Sequence, residues 1–237
     1  MLVQSFLYAI TKNQKMKKLL LTIALAFATL ASQAQTEWYG QVGLSLNKFS
    51  YSSEYEYGCD FKRNVGYEVM FGFLRPMGEK GLFLWGMNFG MGTRGSKSEW
   101  KDVLYEGCEI HFLENDESRF MFQYCPFELN SRIQIGSSPF AVNPHVGLYV
   151  SLDLSGKIEH KVDGVDAESK VFDDFDEYSP QRFDFGVNAG CRFWFAGKTF
   201  LDVTYKQGTI EPWDLNLERE GLAGLSNSLC FSVGYVF

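Results

Sequence analysis

The sequence predicts an all-β protein, an eight-stranded antiparallel up-and-down transmembrane β-barrel. Many segments alternate large apolar residues with small or polar ones, which is the pattern of a strand with two different faces. The last segment, 227–237, places a large apolar residue at every second position and ends on the aromatic Phe237. The connections between the strands alternate between short and long, as in bacterial outer-membrane barrels, which have an even number of strands.

The first part of the chain predicts export. Two lysines at 17–18 precede an apolar run over 19–30, and small residues suited to cleavage follow it. This order is that of a secretory signal peptide, and the run is too short to cross a bilayer as a helix. We therefore predict a signal peptide over 1–34, with Met16 as the biological start, and a barrel domain over 35–237.

The charge balance and hydropathy exclude two classes of protein. The chain has a formal net charge of −7, and removal of the signal peptide with its four lysines would lower it to −11. So acidic a domain is not expected to bind nucleic acid. No segment after residue 34 approaches the 18 uninterrupted apolar residues of a membrane-spanning helix.

Eight segments carry the strand pattern. They span 38–49, 65–74, 82–92, 119–135, 145–155, 182–195, 200–208 and 227–237. The connections after the second, fourth and sixth strands are short, and they span 75–81, 136–144 and 196–199. The other four connections are long and charged, and they span 50–64, 93–118, 156–181 and 209–226. Short turns at one end and long loops at the other are typical of outer-membrane barrels.

The first three strands each have one apolar face. Its residues are Trp38, Val42, Leu44 and Leu46, then Val65, Tyr67, Val69, Phe71 and Phe73, then Phe83, Trp85, Met87, Phe89 and Met91. The fourth strand changes parity, because Phe122 and Tyr124 are even-numbered whereas Phe127 and Leu129 are odd-numbered. We predict a β-bulge near Cys125-Pro126 to explain the change.

The last four strands repeat the pattern of one apolar face. Its residues are Val146, Leu148, Val150, Leu152 and Leu154, then Phe183, Phe185, Val187, Ala189, Cys191, Phe193 and Phe195, then Leu201, Val203 and Tyr205, then Leu229, Phe231, Val233, Tyr235 and Phe237. The row in the last strand also resembles the terminal signal read by the barrel-assembly machinery. We predict that it faces lipid and directs assembly.

The faces opposite the apolar ones carry charge. Nine charged residues lie there: Glu68, Glu128, Arg132, Asp153, Arg182, Asp184, Arg192, Asp202 and Lys206. A charge facing lipid at the midplane costs about 2–4 kcal/mol, so these residues are expected to face the lumen. A soluble barrel would place its apolar face inside instead. An eight-stranded barrel is just wide enough for side chains to fill it, so we predict a packed polar lumen.

Candidate catalytic, metal and disulfide residues are few. His111, His145 and His160 are each followed two residues later by a residue other than serine, so the His-x-Ser pair of small outer-membrane lipid hydrolases is absent. No GxSxG, HExxH or P-loop motif occurs, and we predict neither a catalytic residue nor a cofactor. The acidic loop 156–181 lacks EF-hand spacing, so no metal site is predicted.

The five cysteines do not form a recognisable framework. Cys59 and Cys108 lie in polar segments and are candidates for a disulfide, whereas Cys125, Cys191 and Cys230 lie in strands as small packing residues. In the acidic loop, aromatic residues at 172, 175 and 178 alternate with acids and offer a contact surface for a partner.

Several segments resemble a known family. They are 125–129 (CPFEL), 183–190 (FDFGVNAG) and 231–237 (FSVGYVF), together with the Ala-Gln that ends the signal peptide. The chain resembles the small outer-membrane β-barrel domain of the PorT-like group, although that family typically has Ile-Pro where this chain has Cys125-Pro126. The resemblance implies an eight-stranded barrel in the outer membrane of a Gram-negative envelope. One group of its members assists protein secretion.

The sequence leaves four functions open. The leading expectation is a non-enzymatic integral outer-membrane protein with a structural or surface-contact role and a possible envelope protein partner. The alternatives are an accessory of a secretion or assembly machine, an enzyme acting on outer-leaflet lipid, and a soluble periplasmic ligand-binding barrel. The last alternative requires an apolar interior.

Overall fold

The computed structural model describes residues 36–51, 59–77, 82–100, 117–137, 140–162, 165–170, 182–195, 197–209 and 224–237. The chain divides into Met1–Thr36 and Glu37–Phe237, and the second unit contains the strands. The predicted signal peptide, 1–34, lies outside the described residues. No helix in the described part of the chain is long and apolar enough to cross a membrane.

Within these ranges the structure contains ten strands. They are β1 (Glu37–Tyr51), β2 (Cys59–Met77), β3 (Phe83–Trp100), β4 (Glu117–Ile133), β5 (Ile135–Ser137), β6 (Phe140–Val162), β7 (Val165–Lys170), β8 (Phe183–Phe195), β9 (Thr199–Gly208) and β10 (Gly224–Val236). Strands β5 and β7 are short additions, and the other eight form the wall.

The wall closes into a barrel. Each pairing is antiparallel, the order is β4-β3-β2-β1-β10-β9-β8-β6, and β4 also pairs with β6. First and last strands meet in register, with Leu44 opposite Phe231. The predicted eight-stranded antiparallel barrel is confirmed. The two ends of the barrel differ: we call the end with the short turns, where β1 begins and β10 ends, the turn end, and the other the loop end.

The strands at the loop end are longer than the sequence predicted. Strand β2 begins at Cys59, β3 continues to Trp100, and β6 continues to Val162 and pairs there with β7. The predicted loops 93–118 and 156–181 therefore contain strand at the positions that the structure describes. These extensions carry polar and charged residues on both faces, so the apolar period of two that revealed the rest of the strands is missing there.

The parity change in the fourth strand has a different origin from the one predicted. Phe122 and Tyr124 are buried inside the barrel on the same face of β4 as Glu128, so β4 keeps one parity. The pairing shifts next to the predicted position, but the extra residue is Leu154 of β6, since Gln123 pairs with Ser155 and Tyr124 with Asp153. The bulge was predicted to bring Phe122 and Tyr124 onto the same apolar face as Phe127 and Leu129, and this is wrong, because Phe122 and Tyr124 are buried whereas Phe127 and Leu129 are exposed.

The two faces of the wall have inverse polarity to those of a soluble barrel. Large apolar side chains are exposed on the outside all round the wall; Val42, Phe71, Leu148 and Phe231 are examples. Most of the buried interior is polar or charged, and an apolar cluster occurs at the turn end. The soluble ligand-binding barrel, which requires an apolar interior, is therefore excluded.

Candidate functional site

The lumen is filled by side chains in three layers, each held by carboxylates from the wall. Because side chains alternate along a strand, Asp202 and Lys206 of β9 and Asp184 of β8 all point into the lumen. They lie at successive heights from the turn end to the loop end. The layer at the turn end surrounds Asp202, the middle layer surrounds Lys206, and the layer at the loop end surrounds Asp184. We call them the turn layer, the middle layer and the loop layer.

The turn layer joins four strands through Asp202. Its Oδ2 accepts hydrogen bonds from Arg192 Nε at 2.8 Å and from Arg132 Nη1 at 3.4 Å. Arg192 Nη2 also donates to Gln41 Oε1 at 2.9 Å. Strands β1, β4, β8 and β9 are therefore connected across the interior, and the two guanidinium groups share one carboxylate.

An aromatic floor lies beneath this layer. The guanidinium carbon of Arg192 is 3.6 Å from the ring centroid of Phe200 and 4.2 Å from that of Tyr39, so both rings form cation–π contacts with it. A Cβ at Gly234 would lie 2.0 Å from Phe200 Cζ, so the terminal strand needs glycine there to accommodate the ring. Trp194 packs on the same ring, with centroids 5.1 Å apart.

His145 also belongs to the turn layer. Its Nε2 lies 3.1 Å from Thr204 Oγ1, and that hydroxyl donates to Asp202 Oδ1 at 2.6 Å. Because the hydroxyl hydrogen is used on Asp202, the threonine oxygen accepts from His145 Nε2–H. All three side chains are buried. The hydroxyl is therefore directed at the carboxylate, whereas a nucleophile would direct it at the histidine base.

The middle layer places one cation between two carboxylates. Lys206 Nζ lies 2.5 Å from Glu68 Oε2 and 2.6 Å from Glu128 Oε1. Tyr124 Oη donates to Glu68 Oε2 at 2.6 Å, and Asn88 Nδ2 donates to Glu128 Oε2 at 2.8 Å. Each carboxylate thus has an ion-pair partner and a neutral donor, which offsets the cost of its burial.

The loop layer is organised by an arginine that the sequence analysis did not include. Arg94 binds Asp153 through two parallel hydrogen bonds, Nε to Oδ1 at 3.1 Å and Nη2 to Oδ2 at 2.6 Å, and its Nη1 donates to Asp184 Oδ2. The same oxygen of Asp184 accepts from Tyr149 Oη at 3.0 Å and from Ser226 Oγ at 2.8 Å. Arg94 therefore connects β3 to β6 and β8.

The structure places eight of the nine predicted lumen residues inside the barrel and one outside it. The buried ones are Glu68, Glu128, Arg132, Asp153, Asp184, Arg192, Asp202 and Lys206. Arg182 is exposed, because it precedes the first residue of β8 at the loop end. Arg94 was missed because the third strand was ended at Gly92. The signal for it was its parity, which continues the inward row of Gly90 and Gly92.

The predicted assembly row lies on the outside of the wall. Phe231, Val233, Tyr235 and Phe237 are about half or more exposed, and Leu229 is partly exposed. The inward side chains between them, Cys230 and Ser232, are buried. The terminal strand thus shows one apolar outward face and one small inward face.

The other candidate residues are only partly described. Cys125, Cys191 and Cys230 are free thiols, whereas Cys108 and the side chain of Cys59 lie outside the described residues. So do His111, the His160 side chain and the aromatic residues at 172, 175 and 178. Among the residues that the structure describes, no group of three or more His, Cys, Asp or Glu is arranged to hold a metal ion.

Comparison with known proteins finds a family and several barrels of similar architecture. The model of the outer membrane protein β-barrel domain family matches residues 19–237. Ail, the attachment invasion locus protein of Yersinia pestis, is 11% identical with a TM-score of 0.45, and the match covers 86% of this chain and 99% of Ail. No curated protein matches the chain.

Two further solved structures show a similar degree of likeness. Neisserial surface protein A is 13% identical with a TM-score of 0.40, and the match covers 84% of this chain and 97% of that one. The N-terminal β-barrel domain of OprF from Pseudomonas aeruginosa is 12% identical with a TM-score of 0.32, covering 83% and 97%. The family match, together with the apolar outer face, locates the chain in the outer membrane, where its wall contacts the lipid bilayer.

Proposed function

The chain belongs to the outer membrane protein β-barrel domain family, and we propose that it is a non-enzymatic, non-conducting barrel whose loop-end sheet makes contacts at the cell surface. The observation that carries this proposal is the filled lumen. Ion pairs cross the interior at three heights, and buried side chains occupy the space that a channel would need.

The lumen favours a closed barrel for an energetic reason. Opening a path would separate buried ion pairs such as Lys206 with Glu68 or Arg192 with Asp202, and each separated charge would lose its partner. The aromatic floor of Tyr39, Trp194 and Phe200 obstructs the turn end as well. A rigid closed wall is suited to holding a surface structure in place.

The loop end supplies the surface structure. Strands β2, β3, β4 and β6 continue beyond the apolar band, and β7 pairs with the outer part of β6 at Lys157–Val162. Strand β8 begins at Phe183 and pairs with β6 only up to Leu152. On one side of the barrel, therefore, the sheet of β2, β3, β4, β6 and β7 extends beyond the apolar band. Its backbone edges and side chains are available for contact.

The histidine in the lumen supports a non-enzymatic role. His145, Thr204 and Asp202 resemble a catalytic triad in composition, but they are buried in the lumen and the threonine hydroxyl donates to the carboxylate. A substrate in the outer leaflet would have to reach them through the middle and loop layers. We propose that they stabilise the interior.

We also propose that the outward row of β10 directs assembly by the barrel-assembly machinery. The support is the uninterrupted outward apolar row that ends at Phe237, together with the pairing of β10 with β1, which closes the ring. Membership of the PorT-like group, and with it a role in secretion, would be supported if secretion components co-purified with the protein.

Conductance tests the closed lumen. Wild-type protein reconstituted into planar bilayers is expected to show no steady channel. Replacing Arg94, Lys206 and Arg192 by alanine should produce conductance by removing the cations that hold the three layers. Large, steady channels from the wild type would refute the closed barrel.

A second experiment tests the surface role. Unheated folded barrels and heated unfolded ones migrate differently in SDS gels, and this heat-modifiable migration reports folding. Replacing the β6–β7 hairpin, residues 157–170, by a short turn should leave it intact, because these residues lie beyond the apolar band. The same replacement should abolish chemical crosslinks between the loop end of this protein and its contact partner on intact cells. Unchanged crosslinks would exclude the hairpin as the contact site, and lost heat modifiability would show that it supports the barrel.

A further inference from the structure

Three buried donors of the turn layer have no acceptor among the described residues. They are Arg192 Nη1, Arg132 Nε and Asn143 Nδ2, and each of the three residues is at most 2% exposed. Buried polar groups in proteins are almost always hydrogen-bonded, and a charged donor left unpaired is especially costly. These donors therefore call for a partner that the protein itself does not supply.

Arg192 directs its unpaired donor towards β6. Its Nε and Nη2 donate to Asp202 of β9 and Gln41 of β1, and these two nitrogens lie on one edge of the planar guanidinium group. Nη1 lies on the opposite edge, and the strand on that side is β6. Asn143 of β6 is directly opposite Arg192 in the register, so the two side chains share a face of the wall.

Arg132 reaches the same space from β4. It is directly opposite His145, which lies two residues from Asn143 on the inward face of β6. Arg132 Nη1 and Arg192 Nε bind one oxygen, Asp202 Oδ2, at 3.4 and 2.8 Å, so the two guanidinium groups are neighbours. The three unpaired donors thus come from the adjacent strands β4, β6 and β8.

The turn layer also carries more positive than negative charge. The guanidinium groups of Arg132 and Arg192 share the single carboxylate of Asp202. A charge on His145, which lies 3.8 Å from the same carboxylate, would add to this excess. A buried charge without a counterion is unfavourable. A monovalent anion would balance the excess and accept from the donors, whereas a water molecule would do only the second.

The carboxylates of the middle layer have their own partners. Glu68 Oε2 and Glu128 Oε1 lie 2.5 and 2.6 Å from Lys206 Nζ. The other oxygen of Glu128 accepts from Asn88 Nδ2 at 2.8 Å. The negative charge of that layer is therefore held at a different height in the lumen by other donors.

We infer that the turn layer binds a small monovalent anion, chloride, between Arg132, Arg192 and Asn143. Asn143 has no described partner at either amide atom, so its Nδ2 can turn towards the ion. Cβ atoms of directly paired residues are about 4.5–5.5 Å apart, so the space between Asn143 and Arg192 suits an ion and not a large molecule. The site requires only the buried turn layer and does not depend on a surface-contact role.

The bound anion would connect the strands on the β6 side of the layer. Asp202 joins β4, β8 and β9, and the anion would join β4, β6 and β8 in the same way. Because its ligands are buried, the ion would be enclosed when the barrel folds. A ligand that binds only the folded state lowers the unfolding equilibrium constant about tenfold for each tenfold rise in its concentration above its Kd.

Urea unfolding in vesicles of uncharged lipid, followed by tryptophan fluorescence, tests this coupling. Chloride is raised while gluconate, which is too large for the site, is lowered to hold the ionic strength constant. The unfolding equilibrium constant of the wild type should fall as chloride rises. A wild type whose stability is the same in chloride and in gluconate would overturn the inference.

Two buried asparagines provide a matched pair of variants. Asn143→Leu removes the amide donor and should require about tenfold more chloride for the same stabilisation. Asn188 is also buried with neither amide atom paired among the described residues, but it is opposite Gly147 and Lys206 and has no arginine beside it in the register. Asn188→Leu should therefore keep the chloride response of the wild type. Equal responses of the two variants would contradict the location of the site.

Arg132→Gln removes the excess charge and should abolish the chloride response, while Asp202 keeps Arg192 at 2.8 Å. Heat-modifiable migration shows whether this variant folds, and the asparagine pair decides the question if it does not. In crystals grown with bromide, the anomalous signal should lie within hydrogen-bond distance of Arg132 Nε and Arg192 Nη1. Bromide bound only elsewhere would refute the site. The conductance of the barrel is a separate measurement, so failure here leaves the closed lumen standing.

Discussion

The inward and outward faces of the terminal strands are built on opposite principles. On β9 the inward residues Asp202 and Lys206 are buried in ion pairs, whereas the outward Leu201 is exposed. On β10 the inward Ser232 is small and buried, whereas the outward Phe231 is large and exposed. Lipid replaces the apolar core of a soluble protein, so packing specificity inside depends on paired charges and hydrogen bonds.

The largest expected effect is the loss of assembly when the end of the outward row of β10 is deleted. Deleting residues 235–237 removes the pairings of Tyr235 with Gly40 and of Val236 with Tyr39, which are two of the thirteen pairs that close the barrel. The backbone groups left unpaired in hydrocarbon cost several kcal/mol each. We expect the protein to disappear from the outer-membrane fraction and to be degraded in the periplasm, as immunoblotting of fractions would show. Normal assembly of the truncated protein would contradict the closing role of β10.

The next largest effect should come from the cation in the middle layer. Lys206→Met leaves Glu68 and Glu128 buried beside each other without their shared partner. Removal of one member of a buried pair typically destabilises a protein by about 3–5 kcal/mol. Urea unfolding in lipid vesicles, followed by tryptophan fluorescence, measures the change.

Arg192→Leu provides the comparison within the lumen. Asp202 retains Arg132 at 3.4 Å in that variant, so the loss should be smaller than for Lys206→Met. In a K206M/E68Q/E128Q variant the unpaired carboxylates are removed, and most of the stability should return. Equal losses for both single variants would mean that the layers do not act as separate ion-pair sets.

An outward substitution tests the lipid face. Val233 lies near the centre of the outward row of β10, and Val233→Arg should destabilise the barrel by about 2–4 kcal/mol in the same unfolding assay. Val233→Leu is the matched control and should have little effect, because it preserves the apolar surface. A Val233→Arg variant as stable as the wild type would place this residue away from lipid.

The smallest effect should come from the small inward residues of the same strand. Cys230 is a free thiol and Ser232 is small, and both are buried. Changing either to alanine removes one heavy atom without breaking an ion pair, so we expect a loss of about 1 kcal/mol or less. Assembly levels should stay normal. If these changes harmed assembly as much as the truncation, the assignment of faces would be wrong.

Sequence alone predicted the parts of the wall where one face meets lipid. The predicted strand at 182–195 agrees with β8 to within one residue, and that at 200–208 agrees equally well with β9. In β8 the period-two apolar row runs from the first residue to the last, and in β9 it spans Leu201 to Tyr205. The same row separated lumen charges from lipid-facing residues, because a charge is costly in hydrocarbon.

The strand extensions at the loop end and part of the lumen could not be predicted, because the period-two apolar row is absent or ambiguous there. Beyond the apolar band both faces of a strand are polar, so the extensions of β2, β3 and β6 and the pairing of β7 resembled charged loops. Arg94 was lost with the end of β3. The predicted bulge grouped Tyr124 with the apolar face of its strand, but its hydroxyl donates to Glu68 inside the lumen. Amphipathic side chains make the face ambiguous.

The central claim is that the wall has a lipid-facing apolar side and a sealed polar side, and a spin-label scan of β10 tests it most directly. Single cysteines are introduced at 229–236 in a cysteine-free background, the protein is reconstituted in lipid vesicles, and collision with molecular oxygen and with a water-soluble nickel chelate is measured. Oxygen collision should alternate with a period of two, high at 229, 231, 233 and 235, while the chelate reaches none of the inward positions. Uniform oxygen collision, or strong chelate collision at 230, 232 and 234, would contradict the account.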